Sequence, residues 1–171
     1  MTPHDLYHEK QRLQYCLIHT INNILQRKEF TVESMNEICY SYDSSKWFNA
    51  HKSWIGLGNY DANILMGALQ LHDLKTIWFD KRIPISNIQL DSIRAIVFNI
   101  PSRTFIPFMK GRHWFPILQK NGNFYNLDSK LDEPEVVISI TQFIQQNLDD
   151  QDVEIMFVVS NDTLEENVIK K

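Results

Sequence analysis

Hydrophobic and polar positions change rhythm about halfway along this chain. In the first half, Leu17, Ile21, Ile24 and Leu25 fall at helical spacing, so the pattern predicts a helix that begins at or just before Cys16. A second helical face runs through Met35, Ile38, Cys39 and Tyr42, with Thr31 placed to cap its start. Cys39 therefore reads as a packing residue. From Asp43 to Tyr60 the period fails, and Trp47, Phe48 and Trp54 stand among Ser, Asn, Lys and Gly, the pattern of a mobile arm or irregular helices. Asp61 is placed to cap a third helix, which carries Ile64, Leu65, Ala68 and Leu69 on one side and ends near His72.

The second half reads as strands, at Lys75 to Asp80, Ala95 to Ile100, His113 to Gln119, Phe124 to Ser129 and Val153 to Val159. One helix interrupts them, Ser139 to Leu148, opened by a Ser-x-x-Gln capping box. Helices first and strands afterwards predict an α+β domain, with N-terminal helices packed on a mainly antiparallel sheet, rather than alternating βαβ units. No repeat, linker or low-complexity run breaks the chain. A single domain is expected over residues 1–160, and the charged tail NDTLEENVIKK, residues 161–171, is expected to fray.

Composition narrows the possibilities. With 171 residues, 43% of them hydrophobic, the chain can bury roughly two-thirds of its unfolded surface without staples. A net charge of −4 with scattered Lys and Arg offers no basic stripe for a phosphate backbone, which argues against nucleic acid as a partner. The apolar runs are far too short for a transmembrane segment, and the polar N-terminus lacks the apolar core of a secretory signal. Two cysteines allow at most one bridge and suggest no disulfide scaffold. An intracellular, cytoplasmic setting is expected, in which Cys16 persists as a thiol.

Cys16 heads a helix, where unpaired N–H groups and the helix dipole favour a thiolate. Position alone leaves open a small buried hydrophobe or a nucleophile. His19 lies one turn on and can reach the sulfur, but it sits behind the nucleophile in the helix body, so packing or hydrogen bonding is the favoured reading. His113 and Asp128 belong to two arms of a hairpin around KNGN. If Lys120 faces Asn123, His113 and Asp128 share a face as diagonal neighbours. A four-residue loop, Lys120 to Asn123, would keep that pairing and turn the Pro116 nitrogen away from the partner strand. A cysteine hydrolase needs a thiolate, a proton-shuttling histidine and a group that orients it. Cys16, His113 and Asp128 supply these types, and Gln11 can set its amide beside the Cys16 N–H as an oxyanion donor. A zinc site built on Cys16, His19 and Cys39 lacks a fourth well-spaced ligand.

At these residues the chain resembles the Josephin family of cysteine deubiquitinases. The resemblance runs in order through YHEKQRLQYCLIHTINNILQ (Tyr7 to Gln26), GNYDANILMGALQ (Gly58 to Gln70), WFDKR (Trp78 to Arg82), HWF (His113 to Phe115) and YNLDSKL (Tyr125 to Leu131). The short, single-domain members look most similar. The resemblance implies a papain-like fold with Cys16 as nucleophile, His113 as general base, Asp128 as its orienting acid and Gln11 as oxyanion donor; a monomer is expected. It implies hydrolysis of the amide or isopeptide bond after the ubiquitin C-terminal glycine, with ubiquitin and ubiquitinated proteins as partners and no metal or cofactor. The arm from Asp43 to Tyr60 matches a helical hairpin that flanks the ubiquitin-tail cleft, and Trp114, Trp54 and Trp47 are candidate walls of a narrow glycine channel. Pro116, after HWF, departs from the family pattern. The alternative is a catalytically weak or inactive ubiquitin-binding adaptor.

Overall fold

The computed structural model describes residues 5–11, 15–43, 62–103, 110–149 and 152–170. Helices α1 (Cys16–Leu25), α2 (Val32–Asp43) and α3 (Ala62–Gln70) come first. Strands β1 (Leu74–Trp78), β2 (Ala95–Arg103), β3 (Lys110–Lys120), β4 (Asn123–Asn126) and β5 (Glu135–Val137) follow, then α4 (Ile140–Leu148) and β6 (Glu154–Ser160). The α+β order expected from the sequence is the one observed. Most of the arm, including Trp47 and Trp54, and the Asp61 cap lie outside the described residues, as does the Cys39 side chain.

Local chemistry sets the boundaries. Thr31 and Ser34 cap α2 reciprocally: the Ser34 N–H donates to Thr31 Oγ1 at 3.3 Å and the Thr31 N–H to Ser34 Oγ at 2.9 Å. The Ser139 hydroxyl caps α4 by accepting the Gln142 N–H at 3.4 Å. Helix α1 stops where Gln26 turns left-handed, φ 58°.

The six strands form one antiparallel sheet in the order β1-β6-β2-β3-β4-β5. Side chains alternate between its faces, and both faces are covered. Ala95, Val97, Trp114, Leu118, Tyr125, Leu127, Met156 and Val158 pack with α1 and α3. Ile96, Phe98, Phe115, Ile117, Ile155, Phe157 and Val159 pack on the other side with Ile140 and Ile144 of α4. Central strand β6 consequently buries five residues in a row, Ile155 to Val159, which explains its continuous apolar run.

Three details differ from expectation. The hairpin keeps the expected register, with Lys120 opposite Asn123 and Ile117 opposite Asn126. Its loop, however, is the two-residue turn Asn121–Gly122, with φ 53° and 76°, the positive angles that suit the twist of a tight hairpin. Shortening the loop shifts which pairs exchange hydrogen bonds. Pro116 faces β4 rather than away from it, and its carbonyl accepts the Leu127 N–H at 3.0 Å. Second, β5 has only three residues, too few to produce a readable alternation. Third, the tail does not fray. Val168 is fully buried and Ile169 is 5% exposed in the α4-side core, Ile169 bridges to Ile88, and the Gln89 N–H donates to the Val168 carbonyl at 2.8 Å. Two apolar side chains outweigh the surrounding charge, because burial of each stabilises by about 1.5–3 kcal/mol. Among the described residues, no helix is long and apolar enough to cross a membrane.

Candidate active site

Cys16 is the first residue of α1 and is buried, at 8% exposure. The preceding Tyr15 makes no side-chain cap bond, so the positive end of the helix dipole acts on the sulfur without a competing capping oxygen. The Cys16 side chain hydrogen-bonds to His113, which β3 presents at 2% exposure, its ring stacked on Phe115 at 5.9 Å between centroids. His113 Nε2 donates to Asp128 Oδ1 at 2.7 Å, which leaves Nδ1 for the sulfur. Burial pulls the His113 pKa down, but the bonds to Asp128 and then Cys16 more than offset it, and the net shift is upward. Lys130 opposes that rise through its charge.

Asp128 reaches His113 from a loop rather than from the ladder. Strand β4 ends at Asn126, and the next residues fold through two side-chain turns. Asn126 Oδ1 accepts the Asp128 N–H at 3.0 Å, and Asp128 Oδ1 accepts the Lys130 N–H at 2.9 Å, the local bonding for which Asn and Asp are suited. His8 Nε2 donates to the Asp128 carbonyl at 3.0 Å. Gln11 joins the same loop through its N–H, 2.7 Å from the Ser129 carbonyl, and its residue is half-buried. Cys16, His113 and Asp128 are thus in one hydrogen-bonded chain, with the Gln11 backbone tied beside it. Trp114 is 5% exposed and lies in the same α1-side core as Cys16, while strand alternation points its side chain away from that of His113.

A second polar group was not singled out from the sequence. The face of α1 opposite its apolar side carries His19, Asn22, Asn23 and Gln26, spaced three, four and seven residues from His19. It is covered by the N-terminal strap, residues 5–11. His19 Nδ1 donates to Glu9 Oε2 at 2.7 Å, and Tyr7 Oη and Asn22 Nδ2 also donate to the Glu9 carboxylate. Burial pushes the Glu9 pKa up, but the bonds from His19, Tyr7 and Asn22 prevail and lower it. The Tyr7 hydroxyl is driven well above the usual phenol range by burial and by the Glu9 carboxylate. Gln26 exchanges two bonds with the Tyr7 backbone, at 3.1 and 3.2 Å, and Asn23 Oδ1 accepts the Glu9 N–H at 2.7 Å. A polar stripe at helical spacing, matched by Tyr7 and Glu9 at alternate positions, was the available signal.

An antiparallel sheet with a cysteine-headed helix on one face and a sheet-borne histidine bonded to that cysteine is the papain-like arrangement. Comparison with known proteins places the chain within that class. The Josephin family matches residues 11–160, and the chain belongs to it. It is 39% identical over 140 residues to Josephin-2 of Homo sapiens, covering 80% of this chain and 74% of that protein. Against the Josephin-like protein of Drosophila melanogaster it is 37% identical over 151 residues, covering 85% and 68%. Ataxin-3 of Homo sapiens is more distant, 24% identical over 143 residues, which are 77% of this chain and 39% of ataxin-3.

Proposed function

We propose that this protein is a deubiquitinating cysteine peptidase that cleaves the amide or isopeptide bond after the C-terminal glycine of ubiquitin. The observation that carries this reading is the continuous hydrogen-bonded chain from Cys16 through His113 to Asp128. His113 takes the thiol proton, and the Cys16 sulfur attacks the glycine carbonyl carbon. As the tetrahedral oxyanion forms, the Cys16 N–H and the Gln11 amide donate to it. His113 then gives its proton to the leaving amine, the C–N bond breaks, and a thioester remains on Cys16. Water attacks that thioester while His113 accepts a proton from it. The products are the ubiquitin carboxylate and the restored thiol. Asp128 holds the imidazole in the tautomer this shuttle requires and stabilises it when charged.

Glycine has no side chain, so a channel with aromatic walls can demand it by excluding anything larger. Trp47 and Trp54, both outside the described residues, are the candidates we propose for that wall. The partners are ubiquitin and ubiquitinated proteins, met by a monomer in a cytoplasmic setting.

The test is turnover of ubiquitin carrying a fluorogenic C-terminal amide. Wild-type protein should release the fluorophore, and Cys16→Ala should not, while still binding ubiquitin. Binding without turnover by the wild type would favour an adaptor and overturn the enzymatic reading.

A further inference from the structure

The Leu127 carbonyl, immediately before Asp128, has lost its ladder partner. Its N–H pairs with the Pro116 carbonyl at 3.0 Å, and in an antiparallel pair of this type the residue opposite returns an N–H. Proline has none to return. A buried acceptor left alone would be costly, and Leu127 is fully buried. The missing donor comes instead from α1: Asn23 Nδ2 donates to the Leu127 carbonyl at 2.9 Å. The other end of the same amide, Oδ1, accepts the Glu9 N–H at 2.7 Å, two residues before Gln11. Asn23 is itself wholly buried. A side chain with one donor end and one acceptor end is what these two backbone groups require.

We propose that Asn23 is a positioning residue, whose amide locks the segment bearing Asp128 and the strap bearing Gln11 against the helix that carries Cys16. This rests on the catalytic reading of Cys16, His113 and Asp128. Because Pro116 creates the need for the donor, an N–H restored at position 116 substitutes for half of what Asn23 does.

The experiment compares wild type, Asn23→Ala, Pro116→Val and the double variant, each scored per folded molecule. In Asn23→Ala, kcat should fall roughly 10–100-fold, the scale of a misplaced reacting group, with KM held within about threefold. A second readout is the NMR titration of the His113 ring, which burial and Lys130 push down and Asp128 and Cys16 push up. Its midpoint should move down in Asn23→Ala as Asp128 drifts from the imidazole. Pro116→Val alone should be close to wild type, and added to Asn23→Ala it should return the His113 midpoint and part of kcat. If Asn23→Ala does not fold, Asn23→Ser keeps a small neutral polar group that is too short to reach both backbone groups, and the same shift and rescue are expected.

An unchanged kcat and His113 midpoint in the folded variants, or a midpoint that Pro116→Val fails to restore, overturns the proposal. So does a loss of folding in both Asn23 variants that Pro116→Val does not reverse, since Asn23 would then serve stability alone. Should the wild type prove inactive on ubiquitin, the enzymatic reading falls, and the His113 titration still decides the role of Asn23.

Discussion

His113 Nε2 and Asp128 Oδ1 lie 2.7 Å apart, although the strand that leads to Asp128 ends two residues before it. The bond is made by a loop folded on itself, and it raises the pKa of a histidine that burial alone would lower. Folding therefore stabilises the charged imidazole. That contribution is fully present below the ordinary histidine pKa and is lost as pH rises through the raised folded value. Asp128→Ala should leave burial dominant and push the His113 midpoint below the ordinary value. Urea denaturation of the two proteins between about pH 5 and 9 should show a stability gap that is widest at the acid end and narrows with rising pH. A gap that widens toward alkaline pH would contradict the assigned sign.

His113→Ala should lower kcat by roughly 10²–10⁴, the usual range for a general base. His19→Ala should act on stability instead, because it strips the partly buried Glu9 carboxylate of a partner at 2.7 Å. A loss of about 1–3 kcal/mol is expected, read by urea denaturation, with activity per folded molecule largely kept. Equal losses of activity in two equally stable variants would return His19 to the reaction.

On the proposed role of Gln11 as oxyanion donor, Gln11→Ala should be a transition-state defect, with kcat reduced by roughly 10²–10³ and KM within a few-fold, because such a donor acts on an oxygen whose charge grows only during attack. Gln11→Glu keeps the shape but sets a carboxylate against that oxygen and should be no better. A raised KM with intact kcat would make Gln11 a substrate contact.

The docked tail yields a stability test. Ile169→Ala should cost about 2 kcal/mol or more, since a buried isoleucine is removed from packed surroundings. Removing residues 164–171 should destabilise further by uncovering Ile88 and Ile93. Unchanged thermal melting in both would restore the frayed tail expected from its charge.

What was legible in the sequence followed regular periods. Leu17, Ile21 and Ile24 announced α1, and the alternation around the Asn121–Gly122 turn fixed the β3–β4 register, because a slip by one residue would have turned Leu118 and Tyr125 out of the core. The tail misled because eleven residues with mixed charges hid Val168 and Ile169, whose burial depends on Ile88, some eighty positions earlier. The strap network was hidden for a related reason. Asn22, Asn23 and Gln26 read as the wet side of an amphipathic helix, and only the tertiary fold shows that residues 5–11 cover them. Pro116 looked like an irregularity in a strand, and its consequence became visible only where Asn23 supplies the absent N–H.

The most direct test of the account is covalent capture with ubiquitin bearing a cysteine-reactive group at its C-terminus, followed by mass mapping of the adduct. Cys16 should carry the ubiquitin and Cys39 should not, because Cys16 is placed at a helix start in hydrogen-bond contact with His113, whereas Cys39 falls within the body of α2. Labelling of Cys39 with Cys16 unmodified would contradict the assignment of the nucleophile and the mechanism built on it.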